Sequence, residues 1–348
     1  MAAGYTTSLL LNAQAKLAVR FQKPEMRTEP YNLIRAMWAG GQNLLQGETL
    51  ANIKTSDSRV IETFVFAKRA VTTGAARAHN HTLAAFGDSQ KVTLSFGITA
   101  GTYGVSLKMG GRNIFAMEEM LANDLMSAQI AINNDIEADI ATYLAASKTQ
   151  SNAAMNKFAK FGAWDDTEKL WLFDLTEKDY IFQYISKIMG INDYDMPLTV
   201  IADPVLAAIA GQLAQQGQAN ATNLGWQFQN MTIIDSRRVA DANYLGACYA
   251  FPTGTVGMVD RIPKENAAGV STKDYDYGSM PDPLGTPQVM ATHGYETGAS
   301  THDTGGETQD VIYQYENSVD TAMVKAPLSS ANTDSTIFKF GLVKSLNN

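Results

Sequence analysis

An apolar fraction of 45% over 348 residues is enough for one large core or two ordinary ones, which excludes a disordered chain. A net charge of −8 argues against a dedicated nucleic-acid binder, which needs a strongly basic face, though not against local contact with packaged DNA. The charged fraction of 18% lies below the roughly 25% of an average globular protein, so the surface is either rich in neutral polar groups or covered by neighbouring copies.

The single cysteine, Cys248, excludes an intramolecular disulfide framework and a Cys-rich zinc site, and fits a reducing cytosol. The first residues carry no basic stretch ahead of an apolar one, and Leu9 to Leu11 is too short for a secretory signal. No window approaches the ~20 apolar residues of a membrane span. The expectation is a chain made in the cytoplasm that does not enter a membrane.

In chain order, residues 1–30 carry Pro24 and Pro30 and read as an extended arm with at most one short helix, Thr7 to Val19. An amphipathic helix is expected over Tyr31 to Gln46, with Leu33, Ile34, Met37 and Trp38 on one side and an interruption at Gly40–Gly41. Arg59 to Ala67 and Lys91 to Ile98 read as strands by β-branched content and period-two alternation. A further run, Tyr103 to Lys108, follows a break at Ala100–Gly101–Thr102. The polar excursion Thr72 to Gln90 between the strands makes a long two-stranded flap, which a hairpin cannot stabilise alone.

Apolar or small residues at Met117, Leu121, Leu125, Ala128, Ile132, Ile136, Ile140 and Tyr143 form one helical stripe. A helix from Ile114 to Ala146 would run roughly 50 Å, about three times the average length. Glu118, Glu119, Asp124, Asp135, Glu137 and Asp139 lie along or beside its opposite side and read as a solvated face rather than a carboxylate cluster.

Beyond it, residues 150–176 read as linker and partial strand, with Trp164 and Trp171. A helix at Lys178 to Gly190 and a buried strand at Met196 to Ala202 follow. Asp203–Pro204 then caps a helix over Val205 to Gln215. Phe228 to Ile234 is a strand, and Gly246–Phe251 with Thr255–Val259 reads as a pair turned at Pro252–Thr253–Gly254. Asp260–Arg261 reads as a structural pair at a strand end. Residues 264–308 read as an irregular insertion, followed by strands at Asp310–Tyr315, Asp320–Lys325 and Ile337–Val343.

The chain carries no phosphate loop, dinucleotide fingerprint, His-Glu-x-x-His pair or nucleophile elbow. Gly110–Gly111 reads as the start of a helix, and His79 and His81 as solvated flap residues. His293 and His302, with Glu296, Asp303 and Glu307 nearby, form the best candidate metal cluster. Cys248 sits in an apolar run without a neighbouring base and reads as a small hydrophobe. No catalytic, cofactor or metal residue is therefore assigned, and an enzyme is not expected.

The order arm, flap, long helix and mixed α+β body resembles the major capsid proteins of tailed phages, the Hong Kong-97-type fold. The likeness includes the turn Thr199–Val200–Ile201–Ala202–Asp203–Pro204 and the stretch Ala247 to Pro263. It implies an arm and leading helix at 1–57, a β-hairpin flap at 58–110 and a peripheral domain with spine helix at 111–177. An axial domain at 178–260, an insertion at 261–308 and return strands of the peripheral domain at 309–348 complete the mapping. It further implies an icosahedral shell of pentamers and hexamers of the chain itself, in a virion assembled in the host cytoplasm. Double-stranded DNA would lie on the inner face, with scaffolding, portal and decoration proteins as further partners. Some members crosslink subunits through a flap lysine; the flap lysines here are Lys68 and Lys91. A nanocompartment shell of the same fold, or a metal-dependent enzyme using His293 and His302, are the competing expectations.

Overall fold

The computed structural model describes residues 31–45, 47–56, 58–66, 89–106, 117–194, 197–217, 230–272, 275–298, 311–326 and 335–346, with 10, 12, 13, 15 and 16. Helices α1 (Asn32–Leu44) and α2 (Gly47–Thr55) lead into strands β1 (Val60–Phe66), β2 (Ser89–Ser95) and β3 (Gly97–Ser106). The long helix α3 (Met117–Ser147) is followed by α4 (Met155–Phe158), β4 (Gly162–Asp165), β5 (Leu170–Asp174) and α5 (Ile181–Ile191). Then come β6 (Leu198–Ala202), α6 (Pro204–Gly217), β7 (Met231–Asp235), β8 (Gly246–Pro252) and β9 (Val256–Arg261). Helix α7 (Lys264–Ala268) and strands β10 (Tyr275–Pro281), β11 (Val289–Gly298), β12 (Val311–Lys325) and β13 (Phe338–Val343) complete the order.

Two compact units result. The first holds Met1–Arg59, Phe96–Ile140 and Met258–Met323; the second holds Val60–Ser95, Ala141–Gly257 and Val324–Asn348. In the first, β10, β11, β12 and β3 form an antiparallel sheet in that order, and β9 also pairs with β12. The sheet accepts α3 closely because Gly101 has no side chain: a Cβ there would stand 3.2 Å from Ala128 Cβ and 3.3 Å from Ile132 Cδ1. Gly101 therefore marks a close approach within one continuous strand, where the sequence suggested a break. Likewise Gly40 and Gly41 do not interrupt α1, since both are buried within it. A Cβ on Gly41 would collide with the main-chain carbonyl oxygen of Met258 in β9, so only glycine lets helix and strand come this close.

The stripe expected on α3 is buried at Leu121, Leu125, Ile132, Ile136 and Ile140, and a polar row lies buried beside it. Gln129 Nε2 donates to Asn133 Oδ1 (3.1 Å), and Asn133 Nδ2 donates to Asp282 Oδ2 (2.8 Å), which also accepts from the Thr286 hydroxyl. Glu137 does not join the solvated acidic face: it is 4% exposed and accepts the main-chain N–H of Leu33 in the first turn of α1. The first turn of a helix leaves N–H groups without intrahelical partners, and this carboxylate supplies one. Asp124, Asp135 and Asp139 remain exposed, as expected.

In the second unit the sheet order is β4-β5-β13-β8-β6-β7, with β5∥β13 and β6∥β7 parallel and the remaining pairs antiparallel. Its core is aromatic: Trp171, Phe173, Phe340 and Phe338 stack in series at 6.3, 6.3 and 6.5 Å between ring centres. Phe182, Ile185, Leu198, Val200 and Leu206 fill in around them. Asp203 caps α6 as expected, its Oδ1 accepting from Leu206 N–H at 2.8 Å, while its Oδ2 accepts from Ala247 N–H at 3.1 Å. Strands β1 and β2 pair only with each other among the described residues, in register from Val60↔Ser95 to Phe66↔Ser89.

Several pairings differ from the expectation. Strands β8 and β9 do not pair across the Pro252–Gly254 turn; β8 lies between β13 and β6, and β9 joins β12. Within the stretch expected to be irregular, residues 275–298 form β10 and β11, two of the five strands of the first unit's sheet, while 299–308 lie outside the described residues. The two strands expected within 310–325 are one, and the buried Asn317 at its middle accepts through Oδ1 from the Tyr103 hydroxyl at 3.0 Å. The final strand β13 lies between β5 and β8 in the second unit's sheet. Each of these depends on contacts far apart in sequence, which local periodicity does not encode.

The space around each residue predicts opposite signs for substitution at Gly41 and Gly211. Gly41→Ala will cost about 2 kcal/mol or more through overpacking against Met258. Gly211→Ala in α6, where an added Cβ meets nothing within 4 Å, will be neutral or stabilising by up to about 1 kcal/mol. Urea or thermal unfolding of both variants checks this.

Candidate assembly site

The candidate chemical residues are dispersed. His293 lies on the same face of β10–β11 as Tyr275, Tyr277 and Tyr295, stacked on Tyr277 at 4.6 Å and an interplanar angle of 10°. Its Nε2 is buried and has no hydrogen-bond partner among the described residues. Stacked ring faces are packing geometry, and no group of three His, Cys, Asp or Glu capable of holding a metal exists among the described residues. His302, Asp303, Glu307, His79, His81, Lys68 and Gly110–Gly111 lie outside the described residues, as does the side chain of Glu296. Cys248 is fully buried in β8; burial, and secondarily the Asp203 carboxylate, push its thiol far above its ordinary value. Burial likewise raises the Asp203 carboxyl, against the lowering effect of the main-chain N–H groups of Leu206, Ala247 and Val205.

Charge is instead concentrated where the chain leaves for the β1–β2 hairpin and returns from it. Asp260 and Arg261 end β9, and adjacent strand residues point to opposite faces, so they do not pair with each other as expected. Asp260 Oδ1 accepts from Trp38 Nε1 in α1 and from Lys54 Nζ in α2, both at 3.1 Å. The Lys54 ammonium also stands 5.6 Å from the Trp38 ring centre.

Arg261, 6% exposed, donates through Nε to Asp320 Oδ2 at 3.0 Å. Its NH1 donates to the main-chain carbonyls of Ser56 (3.1 Å) and Ser58. Its guanidinium lies 4.5 Å from the Phe96 ring centre. Ser56 and Ser58 precede β1 and Phe96 follows β2; Phe96 N–H also donates to Arg59 carbonyl at 2.9 Å. One buried guanidinium thus binds the chain on both sides of the hairpin. On the hairpin itself, Lys91 pairs with Glu62 across the strands, a diagonal neighbour in the register Phe64↔Lys91 and Glu62↔Thr93.

Sequence reading missed Trp38, Lys54, Arg261 and Glu137 as fixing residues. For Glu137 a signal existed: Gln129, Asn133 and Glu137 are spaced by four and run beside the apolar stripe. For Arg261 none did, since its partners lie 59 to 205 residues away.

No family model and no curated protein matches the sequence. Among solved structures the chain is similar to that of Mycobacterium phage Bobi, at a TM-score of 0.51 and 11% identity over 92% of each chain. It is similar also to the capsid asymmetric unit of cyanophage A-1(L), at a TM-score of 0.51 and 12% identity, covering 85% of this chain and 91% of that one. The chain has the Hong Kong-97-type capsid fold. At these identities the shared feature is backbone architecture.

Three outcomes test the side-chain assignments in this capsid-fold chain. Arg261→Ala will destabilise by roughly 3–5 kcal/mol, because it leaves Asp320 buried and unpaired. Arg261→Met with Asp320→Leu will recover part of that loss but not all, since the Ser56 and Ser58 carbonyls lose their donor; a double-mutant cycle by denaturant unfolding reads both. Cys248 will resist a thiol-directed reagent in the native protein at pH 8 and react with one equivalent once unfolded.

Proposed function

We propose that this chain is the major capsid subunit of a tailed phage. It builds an icosahedral shell of pentamers and hexamers around double-stranded DNA, in a virion assembled in the host cytoplasm. The observation carrying the reading is the β1–β2 hairpin: seven paired residues on each strand, joined to no third strand among the described residues, with Val60 exposed. Two-stranded hairpins are marginal in water, and docking on a neighbouring subunit supplies the missing cover. The capsid fold and the low charged fraction point the same way.

In this reading residues 1–57 are the arm and leading helix, the hairpin is the flap and α3 is the spine. The first unit's sheet serves as the peripheral domain and the second unit's sheet as the axial domain. Scaffolding, portal and decoration proteins are its further partners, and the work of the chain is geometric rather than catalytic.

Velocity sedimentation and electron microscopy of purified protein, alone and with a co-expressed scaffold, test the proposal. Closed shells or capsomer rings are expected, with nuclease-protected double-stranded DNA in particles from infected cells. A protein cargo instead would make the chain a nanocompartment shell, and a monomer under every condition would overturn the assignment. Deleting residues 72–86 will reduce shell yield at least about tenfold, the loss of a hot-spot contact, while leaving the unfolding transition of the body in place.

A further inference from the structure

The two ends of the second unit's sheet carry complementary surfaces. At the β4 end, exposed aromatic and apolar groups gather: Phe161 (40% exposed) stacks on Tyr184 at 5.2 Å, and Tyr180 (52%) lies 6.3 Å from the same ring. Phe158 of α4 meets both Phe161 and Tyr184 at 6.3 Å, and Met155 beside it is 45% exposed. The cluster is built rather than incidental, because the Tyr184 hydroxyl donates to Glu177 Oε2 at 2.9 Å and fixes the central ring. Lys157 and Lys160 flank it, both exposed.

At the β7 end, a groove of about 760 Å³ runs between α6 and the last strand of the sheet. Ala207, Ala208, Gly211 and Ala214 floor one side, Met231 and Ile233 the other, and exposed Asp235 stands at its rim. One end of the sheet thus presents a projecting aromatic cluster with lysines. The other presents a recess shaped by small side chains with a carboxylate.

We propose that the aromatic cluster of one copy docks in the α6–β7 groove of the next. The inference deepens the shell reading and rests on it. The occupant is a second copy because the cluster is an aromatic knob with the Lys157 and Lys160 ammonium groups beside it, and the groove is apolar with the Asp235 carboxylate at its rim. The two surfaces are different patches of one chain, so the contact is heterologous, and a heterologous contact repeated with rotation closes into rings.

The test separates this contact from the shell assignment. Strands β4 and β7 are five strand spacings apart, about 24 Å, so a zero-length carbodiimide crosslink between Lys157 or Lys160 and Asp235 can form only between copies. In assembled protein that crosslink is expected by peptide mass spectrometry, and it disappears with Asp235→Asn. Gly211→Phe fills the groove at a position where an added Cβ meets nothing within 4 Å. It is expected to cut ring formation at least about tenfold with an unchanged melting temperature, as is Phe161→Ser. Asp235→Lys alone will also fail to form rings, and adding Lys157→Glu and Lys160→Glu will restore them, an arm that does not depend on how Gly211→Phe folds. If wild-type rings form, all these variants form them equally and no such crosslink appears, the contact is overturned while the shell assignment stands. If the wild type never assembles, both fall together.

Discussion

Asp260 and Arg261 are neighbours in one strand, both nearly inaccessible to solvent, and the pleat sends them in opposite directions. A charge withdrawn from water must be matched within the protein, since an unpaired one costs several kcal/mol. Two adjacent charges on opposite faces therefore need two separate sets of partners. Asp260 draws in Trp38 and Lys54 and so fixes α1 and α2 against β9. Arg261 draws in Asp320, the Ser56 and Ser58 carbonyls and the Phe96 ring, and so fixes β12 and both flanks of the hairpin. Satisfying one dipeptide constrains five elements at once, which a pair of buried leucines would not do.

The same logic runs under α3. Apolar contact between a helix and a sheet is non-directional, so a stripe of leucine and isoleucine alone would tolerate sliding along the helix axis. The row Gln129, Asn133, Glu137 adds directional contacts at three heights: a pairing within the helix, a link to Asp282, and a cap on α1. Directional polar contacts in a low-dielectric layer specify position at the expense of some stability. The second unit is held differently, by a stacked aromatic series, with its buried cation Lys339 paired to Asp241 at 2.6 Å and lying 5.2 Å from the Tyr244 ring. Large rings fix relative position by shape, and that unit carries fewer buried carboxylates.

What could be read from sequence was what is local. The period of α3, the Asp203 cap with Pro204 at the first position, the two hairpin strands and the inert burial of Cys248 are each written within a few residues. What could not be read was partnership. Gly41 and Gly101 look like interruptions until Met258 and Ala128 are brought against them. Tyr275, Tyr277, His293 and Tyr295 sit among enough Gly, Asp and Thr to suggest a loop, because the opposite side of these strands mixes Met280 and Met290 with Gly278, Thr292 and Gly294 and so lacks the usual alternation. Glu137 was assigned to water for a similar reason: helical spacing gives the face but not its neighbour, and the neighbour here is an N-terminus that wants a carboxylate.

These devices divide the molecule into parts that are fixed and parts that are left open. Every buried charge discussed lies at a junction between elements of a unit, and none lies on the outer ends of the second unit's sheet. There the chain places exposed aromatic rings beside Lys157 and Lys160 at one end, and small side chains beside Asp235 at the other. A free-standing protein gains nothing from solvated Phe161, Tyr180 and Met155, and patches of this kind mark interaction surfaces. On the shell reading proposed above, directional polar contacts inside and apolar, shape-dependent surface outside would suit a subunit that arrives rigid and then associates reversibly with copies of itself. Rigidity lowers the ordering cost of each contact, and modest contacts repeated around a ring allow errors to be released before closure.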